Sequence, residues 1–315
     1  MKLNIKQKKL LKLLAINCRF TNKDLAKAIG LSEDAVSYQI NKLIGEEKIG
    51  FFNTQFNHFL LGYTSYHVWV NCNLKDIIEV PEIYSINSSF GKYNHQFLIF
   101  AKSDEEFKKV IKKINLTSYK WAKVKSVIKM FSNIIREIDV EIKIPKNRKK
   151  FEYSLADDRY SRTKETNIYL DEIDKKIIVG IIKKPRASFQ ELSKFVKVNH
   201  ETIRYRLKKL VKTKFINNFG LIINYQKFHL YNFYLLLNID GDTDLVKLFA
   251  KIPEISYSAR LEGDFDTILY IEAENPLKFG EIYSKIFENI NIKNSELLIL
   301  NKTEKYSQFP MQELL

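Results

Sequence analysis

The sequence predicts an α+β protein built as a tandem repeat, each copy a winged helix-turn-helix domain followed by a βαββαβ ferredoxin-like domain. Three observations carry this reading. Two short capped helices precede a wing between Ser188 and Asn224, the segment behind them mixes strand and helix periodicity, and both features occur twice at a nearly constant offset.

The stretch from Ser188 opens with that residue as N-cap and Glu191 three residues on, the spacing of a reciprocal capping box. Asn199 caps a second helix, in which Ile203, Leu207, Leu210 and Val211 recur at helical spacing and form an apolar face. The other face is basic. Arg204, Arg206, Lys208, Lys209, Lys212 and Lys214 stand against one acid, Glu201, and the residues up to Asn224 read as a β-hairpin. A narrow cationic helix of this kind fits a DNA major groove.

Setting Thr21 on Ser188 gives an offset of 167 residues, which carries Leu25 onto Leu192, Ser32 onto Asn199, Val36 onto Ile203, Tyr38 onto Tyr205 and Leu43 onto Leu210 without a gap. The first copy then has a helix over roughly Ile5 to Asn17, one capped by Thr21 and ended at Gly30, one capped by Ser32, and a hairpin around Gly50 to Asn57. In the second, Asp171 to Lys183 leads and Pro185 stops it. Farther on, Pro81-Glu82-Ile83 falls on Pro253-Glu254-Ile255 and Gly91 on Gly263, at an offset of 172.

The trailing segment of the second copy reads as a strand over Asn232 to Ile239, a helix over Thr243 to Lys251, a hairpin from Ile255 to Ala273 about Gly263, a helix over Leu277 to Ile290 and a strand over Glu296 to Thr303. In the first copy the same order runs Ser65 to Asn73, a short helical Leu74 to Ile78, a hairpin from Tyr84 to Ala101 turning at Gly91, a helix from Asp104 to Ile114, and a strand near Lys123 to Phe131. The predicted domains are therefore 1–60, 61–142, 169–228 and 229–315, with a charged basic linker over 143–168.

Composition sets the outer limits. A chain of 315 residues, 45% hydrophobic and 13% aromatic, can bury several cores, and a formal charge of +15 favours nucleic acid over other anionic partners. Cys18 and Cys72 stand alone, as buried small residues in a reducing cytoplasm do. No apolar run approaches a membrane span, and the amphipathic, basic N-terminal stretch lacks the apolar core of a signal peptide.

Motifs of phosphate-binding loops, zinc proteases and serine hydrolases are absent, and His58, His67, His95, His200 and His229 have no metal-ligand spacing, so no cofactor, metal or enzymatic activity is expected. Asp240-Gly241-Asp242-Thr243-Asp244 begins like a calcium loop, but Leu245 and Lys251 occupy the places of its glycine and glutamate. It reads as a turn with Asp242 capping the next helix.

Leu170-Asp171-Glu172-Ile173-Asp174, with Ser188-x-x-Glu191-Leu192 and Thr202-Ile203-Arg204-Tyr205-Arg206-Leu207, resembles the opening of the Lrp/AsnC transcription regulators, and the trailing segment with Glu262-Gly263-Asp264-Phe265-Asp266 is similar to their effector-binding, dimerising domain. The resemblance covers nearly the whole chain twice. It departs in the first copy, where Leu3-Asn4-Ile5 replaces the acidic opening and Gln39 the arginine at 206. It implies duplex DNA as partner, an intramolecular pseudo-dimer of the ferredoxin-like domains with further homo-oligomers open, and a small-molecule effector such as an amino acid.

The expected DNA-binding residues are His200, Glu201, Thr202, Arg204, Tyr205, Lys208, Lys209, Lys212 and Lys214, with the acidic first copy (Glu33, Asp34, Glu46, Glu47) as auxiliary or degenerate. Glu33 and Asp34 suit a helix N-terminus, and acids there can also accept from cytosine N4. Gly263, Asp264 and Asp266 admit two readings, a turn requiring positive φ or the lining of an effector pocket. An alternative function is a siroheme decarboxylase, an enzyme of the same plan. Those enzymes resemble one another by a His-Asn-Tyr-x-Arg stretch, where this chain has Tyr257-Ser258-Ala259-Arg260-Leu261 and Ser85-Ile86-Asn87-Ser88-Ser89.

Overall fold

The computed structural model describes residues 3–75, 77–130, 168–241, 244–307 and 309. The linker expected over 143–168 lies outside them, except for Ile168, whose amide donates to the Leu60 carbonyl at 2.8 Å.

Each copy begins with three helices: α1 (Ile5–Ile16), α2 (Asn22–Ile29) and α3 (Glu33–Gly45) in the first, and α5 (Glu172–Lys183), α6 (Phe189–Val196) and α7 (His200–Lys212) in the second. Caps form where the sequence placed them. Thr21 with Asp24 and Ser188 with Glu191 make reciprocal boxes, and Ser32 and Asn199 cap α3 and α7. Ile203, Leu207 and Leu210 are buried.

The expected wing hairpins do not form. Each copy supplies one strand, β1 (Ile49–Phe56) and β6 (Ile216–Ile223), and these pair with each other, antiparallel, from Ile49 opposite Ile223 to Phe56 opposite Ile216. The strands also exchange cores. Leu221 and Ile223 pack among α1, α2 and α3, while Phe56 packs in the core of α5, α6 and α7. Gly50, expected in a hairpin, instead marks a close approach, since a Cβ there would lie 3.2 Å from the Ile222 carbonyl oxygen.

The remaining strands, β2 (Thr64–Val70), β3 (Ile83–Gly91), β4 (His95–Ala101), β5 (Tyr119–Met130), β7 (Tyr231–Asp240), β8 (Ile255–Gly263), β9 (Thr267–Ala273) and β10 (Asn291–Tyr306), close into one barrel of order β10-β3-β4-β2-β5-β8-β9-β7. Its outer faces carry α4 (Asp104–Lys113), α8 (Leu245–Ala250) and α9 (Pro276–Phe287) over two apolar cores, while a third cluster with Trp69, Tyr234, Leu236 and Phe265 fills the inside.

The last strand of each copy is longer than its alternation suggested, because it pairs with strands of both copies. β10 pairs with β7 through Asn291 to Ile299 and with β3 through Leu298 to Tyr306; β5 pairs with β2 and then β8 in the same way. Two smaller corrections accompany this. Leu74 to Ile78 forms turns rather than a helix among its described residues, and Asp244, not Asp242, caps α8, accepting from the Lys247 amide at 3.1 Å.

Candidate nucleic-acid interface

The geometry of α7 follows from its buried stripe, which turns the remaining positions to solvent. His200, Glu201, Arg204, Tyr205, Lys208, Lys209, Lys212 and Lys214 are all exposed, and Thr202 is half-buried. Glu201 draws two neighbours, His200 at 3.3 Å and Arg204 at 3.2 Å, and the Arg204 guanidinium also lies 5.7 Å from the Phe189 ring centre. These contacts preorganise Arg204 beside Tyr205, which is 66% exposed.

Arg206 does not belong to that face. Its guanidinium donates to Asp171 at 2.5 Å and to Asp174 at 3.3 Å, tying α7 to the start of α5. Asp174 is 2% exposed. Burial, reinforced by the Asp171 charge, raises the Asp174 carboxyl, whereas the Asp174 amide and then Arg206 lower that of Asp171. At the equivalent positions of the first copy, the Asn4 amide donates to Gln7 Oε1 at 3.1 Å and Gln7 Nε2 donates to Gln39 Oε1 at 3.1 Å. A charged latch in one module is thus a neutral one in the other.

The surface of α3 differs in sign. Glu33, Asp34 and Glu47 are exposed with Tyr38 and Asn41, Ser37 is half-buried, and Glu46 is held 2.6 Å from the buried Lys48 and 3.9 Å from Lys42. The two modules are joined by reciprocal arginines. Arg19 donates to the carbonyls of Pro185 (2.7 Å) and Ala187 (2.8 Å); Arg186, its equivalent, donates to Cys18 O (2.5 Å) and Asn22 Oδ1 (2.9 Å). They lie over Phe219 and Phe52, another equivalent pair. Burial at this junction pushes the Cys18 thiol up to about 12.

Gly263 and Asp264 lie at the seam between β5 and β8, and Asp266 faces the neighbouring strand β7. Gly263 has φ 149° and no room for a side chain, since a Cβ would fall 2.5 Å from the Trp121 carbonyl oxygen. Asp264 accepts from the Trp121 amide at 2.9 Å and from Lys120 at 2.6 Å, and Asp266 accepts from the Ile239 amide at 2.8 Å. Gly91 occupies the second seam, with φ 131° and the Leu297 carbonyl 2.6 Å from its would-be Cβ. There Lys92 pairs with Glu296, the same ion pair with its signs exchanged.

A cavity of about 340 Å³, which no residue pattern foretold, lies where the wing pair meets the barrel. Its lining comes from both copies, with His58, His67 and Ser85 from the first and Tyr225, Tyr234 and Tyr257 at the equivalent positions of the second. Burial holds the His58 and His67 imidazoles down at about 3. Among the described residues, no group of three or more His, Cys, Asp or Glu could hold a metal ion, and no helix is long and apolar enough to cross a membrane.

The family of winged helix-turn-helix DNA-binding modules matches this chain at residues 3–49 and again at 170–217. Over 119 residues the chain is 28% identical to an HTH-type transcriptional regulator of Pyrococcus horikoshii, covering 36% of this chain and 79% of that one. Over 139 residues it is 29% identical to the HTH-type transcriptional regulator FL11 of the same organism, covering 43% and 92%. The winged helix-turn-helix module is thus present twice in the chain. A solved structure of the siroheme decarboxylase NirDL has the same fold over 98% of both chains, with a TM-score of 0.61 and 13% identity.

Proposed function

We propose that this protein is a sequence-specific, DNA-binding transcription regulator of Lrp/AsnC type that reads duplex DNA through α7. The observation that carries the proposal is the outward face of that helix, where Arg204, Lys208, Lys209, Lys212 and the adjoining Lys214 are exposed together with one acid. Lys208, Lys209, Lys212 and Lys214 meet phosphates; His200, Glu201, Thr202, Arg204 and Tyr205, nearer the helix N-terminus, meet base edges. Arg204→Ala relaxes sequence preference at a cost of about 1 to 3 kcal/mol, whereas Lys208→Ala weakens all duplexes alike and lowers the salt slope by about one unit. Titration of both variants at two salt concentrations checks this, and unchanged binding in both removes α7 from the interface.

In this reading the protein works in the cytoplasm, in keeping with its free cysteines, and a small molecule such as an amino acid modulates it. The turn at Gly263, Asp264 and Asp266 is the place where the effector acts in this reading, because Asp264 already ties it to the Trp121 amide of the other copy while Asp266 holds the Ile239 amide of its own. The second reading, a siroheme decarboxylase, draws on the shared fold. Its substrate carries several carboxylates, and no lysine or arginine is found among the described residues lining the cavity. An absorbance titration with siroheme separates the two.

A further inference from the structure

The cavity under the wings is organised by a chain of hydrogen bonds that runs in one direction. The Thr303 hydroxyl donates to Asn87 Oδ1 at 2.8 Å, Asn87 Nδ2 donates to Gln96 Oε1 at 2.9 Å, and Gln96 Nε2 lies 2.6 Å from His67 Nδ1. With its oxygen already accepting from Asn87, Gln96 faces His67 with a donor, so Nδ1 of the imidazole accepts and the proton resides on Nε2. That Nε2–H is buried and has no partner. Two further cavity residues carry buried oxygens without a donor, Asn218 Oδ1 on the wing strand β6 and Asn232 Oδ1 on β7.

Leaving buried polar groups unpaired is costly, so three around one space point to something that pairs with them. The rest of the lining narrows its chemistry. The Tyr234 and Tyr270 rings stack with centres 3.9 Å apart, and Tyr257 lies 4.7 Å from Tyr270 and 6.4 Å from His67, so flat aromatic surface stands beside the donor. No lysine, arginine, aspartate or glutamate is among the described residues lining the space. A charged ligand would be desolvated there without compensation. The volume of about 340 Å³ suits a ligand of one or two rings.

We propose that this cavity binds an uncharged, planar heteroaromatic molecule, its ring against the tyrosines, an acceptor edge on His67 Nε2–H and donor groups on Asn218 and Asn232. Because Asn218 belongs to the wing pair that joins the two winged modules, occupancy is felt at α7. This last step rests on the DNA-binding reading; the binding site itself does not.

The test is a titration of the full chain with adenine, hypoxanthine and nicotinamide, and with nicotinate as the charged counterpart of the last, followed by tyrosine fluorescence and calorimetry. At least one neutral ring binds saturably, nicotinate binds at least about tenfold more weakly than nicotinamide, and His67→Phe and Asn232→Leu each weaken binding by about tenfold. Asn218→Leu takes the place of either variant that does not fold. Absence of binding by all three neutral rings, equal binding of nicotinate and nicotinamide, or affinity unaltered in the folded variants overturns the proposal. Duplex binding with and without the bound ring is measured in parallel. Ring binding without DNA binding retains the site and removes the DNA-binding reading, whereas the reverse removes the site alone.

Discussion

At a constant offset, Glu33, Ser37, Asn41, Gly45 and Glu47 of the first module stand where His200, Arg204, Lys208, Lys212 and Lys214 stand in the second. The helices beneath these residues are alike. Both have thirteen residues, both are capped by a short polar side chain, and both expose a tyrosine at the same place, Tyr38 and Tyr205. The internal latch is also kept in shape, as Asn4–Gln7–Gln39 in one and Asp171–Asp174–Arg206 in the other. What differs is the sign of the charge presented to a partner. A module can thus retain its fold, and with it half of the wing pair, while losing the electrostatics that would hold it to phosphate.

The largest effect is expected from breaking the basic face. Replacing Lys208, Lys209 and Lys212 with glutamate together lowers the slope of log affinity against log salt by about three units, because each phosphate contact contributes about 0.9. Glutamine at Glu33, Asp34 and Glu47 leaves that slope unchanged. A titration series at several salt concentrations checks both, and equal responses of the two helices would dissolve the contrast.

Next comes the latch. Arg206→Ala leaves Asp174 buried and unpaired, at a cost of about 3–5 kcal/mol. Gln39→Ala in the neutral latch costs about 1 kcal/mol. Denaturant unfolding compares them, and a double replacement, Asp174→Gln with Arg206→Gln, should recover much of the loss by copying the first module.

The buried histidines give the comparison a pH dependence. His58 and His67 belong to the first copy, and tyrosines hold their places in the second. Each is held neutral in the folded state, with its pKa lowered from 6.5 to about 3 by burial. The unfolded chain therefore binds more protons between these values. Stability is complete above the unfolded pKa and falls as pH drops through that window, by up to about 1.4 kcal/mol per pH unit for each histidine. Melting temperatures across the window check this, and His58→Tyr with His67→Tyr flattens the profile.

The smallest effect lies at the helix ends. Gly30 ends α2 at φ 67°, and its equivalent Lys197 ends α6 at φ 63°, a conformation that suits glycine. Lys197→Gly stabilises the second module by about 1 kcal/mol, and Gly30→Ala destabilises the first by a similar amount. Chemical denaturation measures both, and no gain at Lys197 would mean that its surroundings already favour the left-handed backbone.

Residue spacing was enough to specify the local elements and the duplication. Caps at Thr21, Ser32, Ser188 and Asn199, the apolar stripe of α7 and its exposed cations all depend on neighbours within one or two helical turns, and such contacts are written in residue spacing. Tertiary structure alone decided what the halves do to each other. Strand alternation reveals which face is buried but not which strand lies alongside, so the pairing of β1 with β6 in place of two hairpins could not be read from it. The same holds for β5 and β10, each of which pairs with one strand of its own copy and one of the other. Gly91 and Gly263 looked like turn residues, and each is required where a neighbouring strand's backbone approaches too closely for a Cβ. The cavity arises from that same pairing, since His67 and Asn218 are far apart in the chain and meet only when the wing pair lies on the closed barrel.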